Sequence, residues 1–147
     1  MTSRAEALRA QHAADGDATA AAARRAEMRA LHAGGGVLSA NDKVAAVVVL
    51  MDSEEVADVQ LAQDLALAVM AQRPSTRPLA AFAFDRLRML AGRPQKFGTQ
   101  VVVRDGAREL WTMEPGTTDS ERAKWGLPPL AELLRAAVAG SSPPWAG

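Results

Sequence analysis

A chain of 147 residues with 17 basic and 17 acidic side chains has the length of one domain and no net charge to attract nucleic acid or an anionic membrane. It contains no cysteine, which excludes disulfides, thiolate nucleophiles and thiolate metal sites. With only two histidines, His12 and His32, a histidine-rich metal site is not expected, so we expect no metal or other cofactor.

Residues 1–36 form an Ala- and Arg-rich helical arm. Helix propensity predicts helices at 3–14 and 18–33, followed by a flexible triple glycine. Large apolar side chains are few there, so we expect the arm to pack loosely or to contact a protein partner or a second copy. Acidic residues in the arm argue against a transit peptide, and the longest apolar run, 44–51, is far below the roughly 20 residues that span a bilayer. The sequence therefore predicts a cytoplasmic protein without membrane contact.

A single globular domain is expected over residues 37–140, with a flexible tail at 141–147. Its first element, residues 40–51, carries valines at helical spacing after Ser39, a suitable helix N-cap. We interpret it as a buried helix, although its β-branched content leaves a buried strand open. A helix at about 54–72 follows, apolar on most sides and therefore expected to be central.

The sequence of the second half of the chain predicts one more long helix, a hairpin and two further helices. The long helix covers about 77–91, and a valine run, the Asp105-Gly106 turn and a return strand predict an antiparallel hairpin at about 98–113. The two further helices end at Gly126 and Gly140. The expected fold class is mainly α with one β-hairpin (α+β), a helical bundle packed on the hairpin.

An arginine falls within the apolar stripe of the 77–91 helix, at position 86. A guanidinium buried without a partner costs several kcal/mol. We therefore expect Arg86 either to meet a carboxylate or several carbonyls, or to extend its guanidinium to the surface.

Glutamines stand on an apolar face of the 54–72 helix. That face is marked by Val56, Val59, Leu67 and Met70, and its arc includes Gln60 and Gln63. Buried amides need most of their donors and acceptors satisfied, so the glutamines either meet other polar groups or lie on the least buried edge of the helix.

Polar side chains also crowd the stretch GRPQKFGTQVVVRDG at residues 92–106. Thr99 and Gln100 stand directly before the valines, and a strand that begins after Gly98 points one of them to each face. One of the two then faces the core. The stretch, with Gln95, is either a strand entry with capping side chains or the floor of a polar site.

Two segments, DRLRMLAGRPQKFGTQ at 85–100 and ERAKWGLPPLAELL at 121–134, resemble an uncharacterised bacterial family, a domain of unknown function. The family pattern has an Asp-Arg pair on a helix, then Gly-Arg-x-Gln-x-aromatic-Gly-Thr-Gln, then a Gly-Leu-Pro-Pro-Leu helix start. The resemblance covers roughly residues 48–137 and implies a shared fold and a shared cluster. The cluster comprises Asp85, Arg86, Gln95, Phe97, Gly98, Thr99 and Gln100.

This chain departs from the family pattern at two positions. Asp52 stands where many relatives have a histidine, eight residues before the glutamine that Gln60 matches, and Phe97 replaces a tyrosine. If the family uses that histidine for proton transfer, this member must use Asp52 instead.

Two functions fit the sequence. The favoured one is a non-catalytic interaction or structural domain, in which the polar cluster organises the core. The arm, with Trp111, Trp125 and Trp145, then contacts a protein partner or a second copy.

The alternative function is a small-molecule-binding protein or an enzyme of hydrolase, isomerase or dehydratase type. Asp52 or Asp85 then acts as the catalytic acid or base. A small polar substrate is bound by Gln60, Arg86, Gln95, Thr99 and Gln100.

Overall fold

The computed structural model describes residues 2–14, 16–141 and 143, and their contacts divide the chain into two compact units, residues 1–80 and residues 81–147. The single domain predicted for 37–140 stays a prediction. Most of the predicted tail, together with Trp145, lies outside the described residues.

The described residues form seven α-helices and one two-stranded antiparallel sheet, which confirms the class of mainly α with one β-hairpin. The elements are α1 (Arg4–Ala14), α2 (Ala18–Ala33), α3 (Ala40–Leu50), α4 (Val56–Met70), α5 (Arg77–Leu90), β1 (Val101–Arg104), β2 (Ala107–Leu110), α6 (Asp119–Lys124) and α7 (Leu130–Ala139). None of the helices in the described ranges is long and apolar enough to cross a bilayer.

The arm packs closely in the first unit. Helices α1 and α2 both contact α3, and the large side chains of Leu8 and Met28 are buried. The expected loose packing is therefore wrong, because the few large apolar side chains of the arm serve the core of this unit. Charged pairs join the arm to the rest of the unit, and the pair of Arg29 with the buried Asp58 is the shortest of these at 2.7 Å.

Residues 40–50 form a helix and not a strand, as the capping pattern predicts. Ser39 Oγ accepts a hydrogen bond from the Asp42 backbone N–H at 3.0 Å, and the Asp42 carboxylate accepts one from the Ser39 N–H. The Asp42 carboxylate also accepts a hydrogen bond from the Ser3 hydroxyl, which ties the start of α1 to the start of α3. One carboxylate therefore anchors two helix starts.

The buried face of α4 differs from the predicted one. Val56 and Leu67, expected on the inner face, are 57% and 43% exposed. The buried positions are Asp58, Val59, Ala62, Leu65, Ala66 and Val69. Alanines permit close packing against α3, so they mark the inner face better than the larger side chains do.

The hairpin lies in the second unit and is shorter than predicted. Its strands pair in register from Val101 opposite Leu110 to Arg104 opposite Ala107, and the turn residues Asp105 and Gly106 both have positive φ, as a type I′ turn requires. Helix α7 packs on β2. Residues 95–100, predicted in part as strand, form a loop instead.

The Asp42 anchor gives a prediction for acid unfolding. The hydrogen bond from Ser3, with others from the backbone, holds the Asp42 pKa below its ordinary value of 3.8. Asp42 therefore contributes stability above the unfolded pKa, and this contribution is lost as the pH falls through the folded pKa. Asp42→Asn should cost about 1 kcal/mol near neutral pH, and its difference from the wild type should shrink below about pH 3.8. Urea unfolding followed by circular dichroism measures this, and a difference that is constant with pH would contradict it.

Candidate functional site

Asp85, on α5, is fully buried and accepts five hydrogen bonds from one loop. Its Oδ1 accepts the backbone N–H of Lys96 and Phe97 at 2.8 and 3.0 Å. Its Oδ2 accepts those of Gly98 and Thr99 at 3.2 and 3.1 Å, and the Thr99 hydroxyl at 2.8 Å. Four successive N–H groups thus form a concave anion site of the kind that binds phosphate in other proteins, and here a side chain of the same chain fills it.

Gln95 extends this network, because its side chain makes hydrogen bonds to backbone groups that a neighbouring strand would otherwise make. Its Oε1 accepts the Gln100 N–H at 2.8 Å, and its Nε2 donates to the Gln100 carbonyl at 3.0 Å and to the Trp111 carbonyl at 2.8 Å. The amide of Gln95 is fully buried, so these bonds satisfy it. Gln95 therefore closes the loop of residues 95–100, which we call the 95–100 loop.

Thr99 and Gln100 are both buried, whereas a strand would place only one of them inside. Gln100 Nε2 donates to the Thr99 hydroxyl and to the Phe82 carbonyl, both at 3.2 Å, and the Thr99 hydroxyl donates to Asp85. A relay of hydrogen bonds therefore runs from Gln100 through Thr99 to Asp85. The prediction that a strand begins directly after Gly98 is wrong, because the loop folds over Asp85 and the strand begins only at Val101.

Gly98 is required in this loop for two reasons. Its φ is +99°, a backbone conformation that residues other than glycine rarely adopt. A Cβ atom placed there would also lie 3.3 Å from Leu133 and 3.4 Å from Leu130, both on α7. The glycine therefore allows the 95–100 loop and α7 to approach each other.

Arg122, on α6, is a member of the network that the sequence analysis missed. It is only 2% exposed, and its Nε donates to the Phe97 carbonyl at 2.8 Å. Its Nη1 donates to Asp119 at 3.0 Å and to the Thr117 carbonyl at 3.1 Å. Helical phase could have indicated it, because Arg122 lies one turn before Trp125, whose ring packs 5.7 Å from that of Phe97.

The electrostatics of Asp85 combine two opposing effects. Burial raises the pKa of this carboxyl above its ordinary value of 3.8, and the backbone and Thr99 hydrogen bonds partly counteract the rise. Four of the five partners are N–H groups, which can only donate, so the geometry fits the ionised carboxylate. Among the described residues, the groups that hydrogen-bond to Asp85 include no second carboxylate.

The structure brings together Asp85, Gln95, Thr99 and Gln100, but Asp52 and Gln60 do not share this network. Both lie in the first unit. The exposed Gln60 donates to Asp64 at 3.1 Å, so it lies on the least buried edge of α4, one of the two predicted outcomes. Asp52 pairs with Arg25 at 3.2 Å and with His12 at 3.5 Å.

The charged residue that α5 buries completely is Asp85, and Arg86 beside it is only partly buried. The large apolar side chains of α5 indicate one inner face, but Pro78, Ala81 and Asp85 form a second buried line at helical spacing. Arg86 lines a cavity of about 240 Å³ in the second unit. Thr99 and Gln100 also line it, whereas the other predicted site residues do not.

Comparison of the chain with protein-family models, with curated proteins and with solved structures gave no match. The resemblance to a bacterial domain of unknown function therefore stays a prediction. In the described part of the chain, no three His, Asp or Glu side chains gather where they could hold a metal ion.

Asp85→Asn should lower the free energy of unfolding of the second unit by about 3 kcal/mol or more. The amide keeps the shape of the carboxylate but turns an NH₂ group toward buried N–H donors, and each buried donor left unsatisfied costs about 1–3 kcal/mol. All three tryptophans lie within residues 81–147, so fluorescence during denaturant unfolding follows this unit.

Asp105→Asn is the matched control for this substitution. Asp105 is exposed, and its positive φ suits asparagine, so the change should stay within about 0.5 kcal/mol. Equal effects of the two substitutions would contradict the structural role of Asp85.

Proposed function

We propose that the chain is a small non-catalytic interaction or structural domain, in which the buried polar cluster holds the 95–100 loop in one conformation. The observation that carries this proposal is the saturation of Asp85, whose two carboxylate oxygens already accept five hydrogen bonds. A general base needs a lone pair that faces the proton it removes. Asp85 is fully buried and both of its carboxylate oxygens accept hydrogen bonds from the loop, so its geometry favours a structural role.

The amides of the cluster support the same conclusion. Both polar ends of the Gln95 side chain bind backbone groups, and the Gln100 Nε2 binds Phe82 and Thr99. Substrate-binding amides must present donors or acceptors to a ligand, whereas these hold the chain to itself. Asp52, the other candidate acid or base, pairs with Arg25 and His12 in the first unit.

The proposal includes the partner predicted from the sequence, which is another protein or a second copy bound through the arm. The surface of the arm that such a partner would contact differs from the one expected. Two large apolar side chains of the arm, Leu8 and Met28, are buried within the first unit, so a partner there would meet an outer face on which alanines and charged residues are exposed. Arg4 and Glu27 lie on that face and form an ion pair. Membership of the bacterial family and a cytoplasmic location are retained as proposals on the sequence arguments.

The alternative, binding of a small polar ligand, is favoured by one observation. The cavity of about 240 Å³ places Arg86 next to the ordered 95–100 loop. Its volume is below the range of roughly 300–1,000 Å³ that is typical for drug-sized ligands. Any ligand is therefore small.

Amide hydrogen exchange tests the proposed role of the loop. The N–H groups of residues 96–99 all bind Asp85, so they should exchange as slowly as the most protected amides of the second unit. The amide of the exposed loop residue Gly116 should exchange rapidly and serves as the internal reference.

A loop that exchanges at the rate of Gly116 would contradict the proposal. Such exchange would mean that the 95–100 loop opens readily, as active-site loops do. Asp85→Asn should remove the protection of residues 96–99, because the carboxylate is their common acceptor.

A further inference from the structure

The cavity of the second unit is built from three elements. Its floor is the end of the 95–100 loop, and its walls are formed by α5, through Phe82 and Arg86, and by α7, through Leu133 and Ala136. The floor is held by the Asp85 and Gln95 hydrogen bonds described above. The cavity therefore has a preformed polar floor, as binding sites usually do.

Positive charge dominates the lining. Arg86 and Arg108 both line the cavity, and none of the described residues that line it is acidic. The chain as a whole has no net charge, so this concentration of guanidinium groups is local. A cavity with charge of one sign attracts ligands of the opposite sign.

Arg108 is held in place at the edge of the cavity. Its Nε donates to the Ala137 carbonyl at 3.2 Å, near the C-terminal end of α7. This contact places a cation where the helix dipole is negative and uses one of the five N–H donors of the guanidinium. The guanidinium is thus fixed by α7 beside the cavity that it lines.

The remaining walls are largely apolar, with Phe82, Leu133 and Ala137 among the lining residues. A ligand that satisfies both parts of the cavity carries an anionic group and a short apolar body. Guanidinium groups bind carboxylates and phosphates with two parallel hydrogen bonds, and the cavity of about 240 Å³ favours the smaller of these groups, a carboxylate.

We propose that this cavity binds a small organic carboxylate, with the anionic group at Arg86 and Arg108 and the apolar part against Phe82 and Leu133. This ligand site adds to the proposed non-catalytic role and does not depend on it. The structural role of Asp85 is measured by unfolding and amide exchange, whereas the ligand site is measured by binding, so each can fail without the other.

Titration of the ¹⁵N-labelled full chain with sodium hexanoate, followed by NMR, tests the proposal. Hexanoate should cause saturable shifts in the amides of residues 98–101 and 136–137, which border the cavity. The probes 1-hexanol and hexylammonium chloride have the same apolar chain with no charge or the opposite charge. Hexanol should bind more weakly than hexanoate, and hexylammonium should cause no saturable shift.

Substitutions locate the anionic group. Arg86→Gln and Arg108→Gln should each weaken hexanoate binding by about tenfold or more, because hydrogen bonds to charged groups are worth that much. Arg104→Gln is the matched control, since Arg104 lies on the same hairpin with its side chain against Glu109 and Trp111, and it should bind hexanoate unchanged. Ala136→Phe should fill the cavity and abolish the shifts while the rest of the spectrum stays folded.

Three results would overturn the proposal. These are the absence of saturable shifts with hexanoate, equal affinities for hexanoate and hexanol, and full affinity for hexanoate in both Arg86→Gln and Arg108→Gln. Chemical shifts far from the cavity report the fold of each variant, so loss of binding by a variant that remains folded supports the site.

Discussion

The Asp85 carboxylate receives the backbone N–H groups of four successive residues, and this contact fixes the course of the chain between α5 and the hairpin. Burial of a carboxylate without partners costs several kcal/mol, whereas hydrogen bonds to an ionised acceptor are roughly twice as strong as neutral ones. The five donors therefore offset part of the desolvation that raises the pKa of Asp85. A loop that would otherwise leave four N–H groups buried and unsatisfied has one common acceptor.

The other contacts of the 95–100 loop depend on this arrangement. While the N–H groups turn toward Asp85, the Phe97 carbonyl points to Arg122, and the Phe97 ring packs between Phe84 and Trp125. The loop is therefore bound through its donors on one side and through a carbonyl and an aromatic ring on the other. Gly98 then lets α7 approach, which completes the wall of the cavity. A change at one carboxylate is thus expected to reach α6 and α7, which it does not contact.

Local signals in the sequence predict the elements well. Turn and cap chemistry correctly predicts the Ser39 cap of α3, the Asp105-Gly106 turn of the hairpin and the end of α7 at Gly140. Side-chain size misleads about which helix face is inside, because α4 buries Ala62 and Ala66 while Leu67 is partly exposed. On α5, the large apolar side chains likewise place Arg86 on the predicted inner face, whereas the buried charged residue is Asp85. The acceptor role of Asp85 depends on a loop more than ten residues away, and no helical period contains that information.

The residues that look reactive in the sequence and those that line the cavity are largely different. Asp85 and Gln95 use their hydrogen-bonding capacity within the chain, and neither lines the cavity. Thr99 and Gln100 belong to both sets, so they are members of the network that also form the cavity floor. The hydrogen-bonded network can hold the cavity lining in one conformation, and a site that is ordered before binding loses less conformational entropy when a ligand binds. In the proposed ligand site, the cluster orders the floor beside which Arg86 and Arg108 lie.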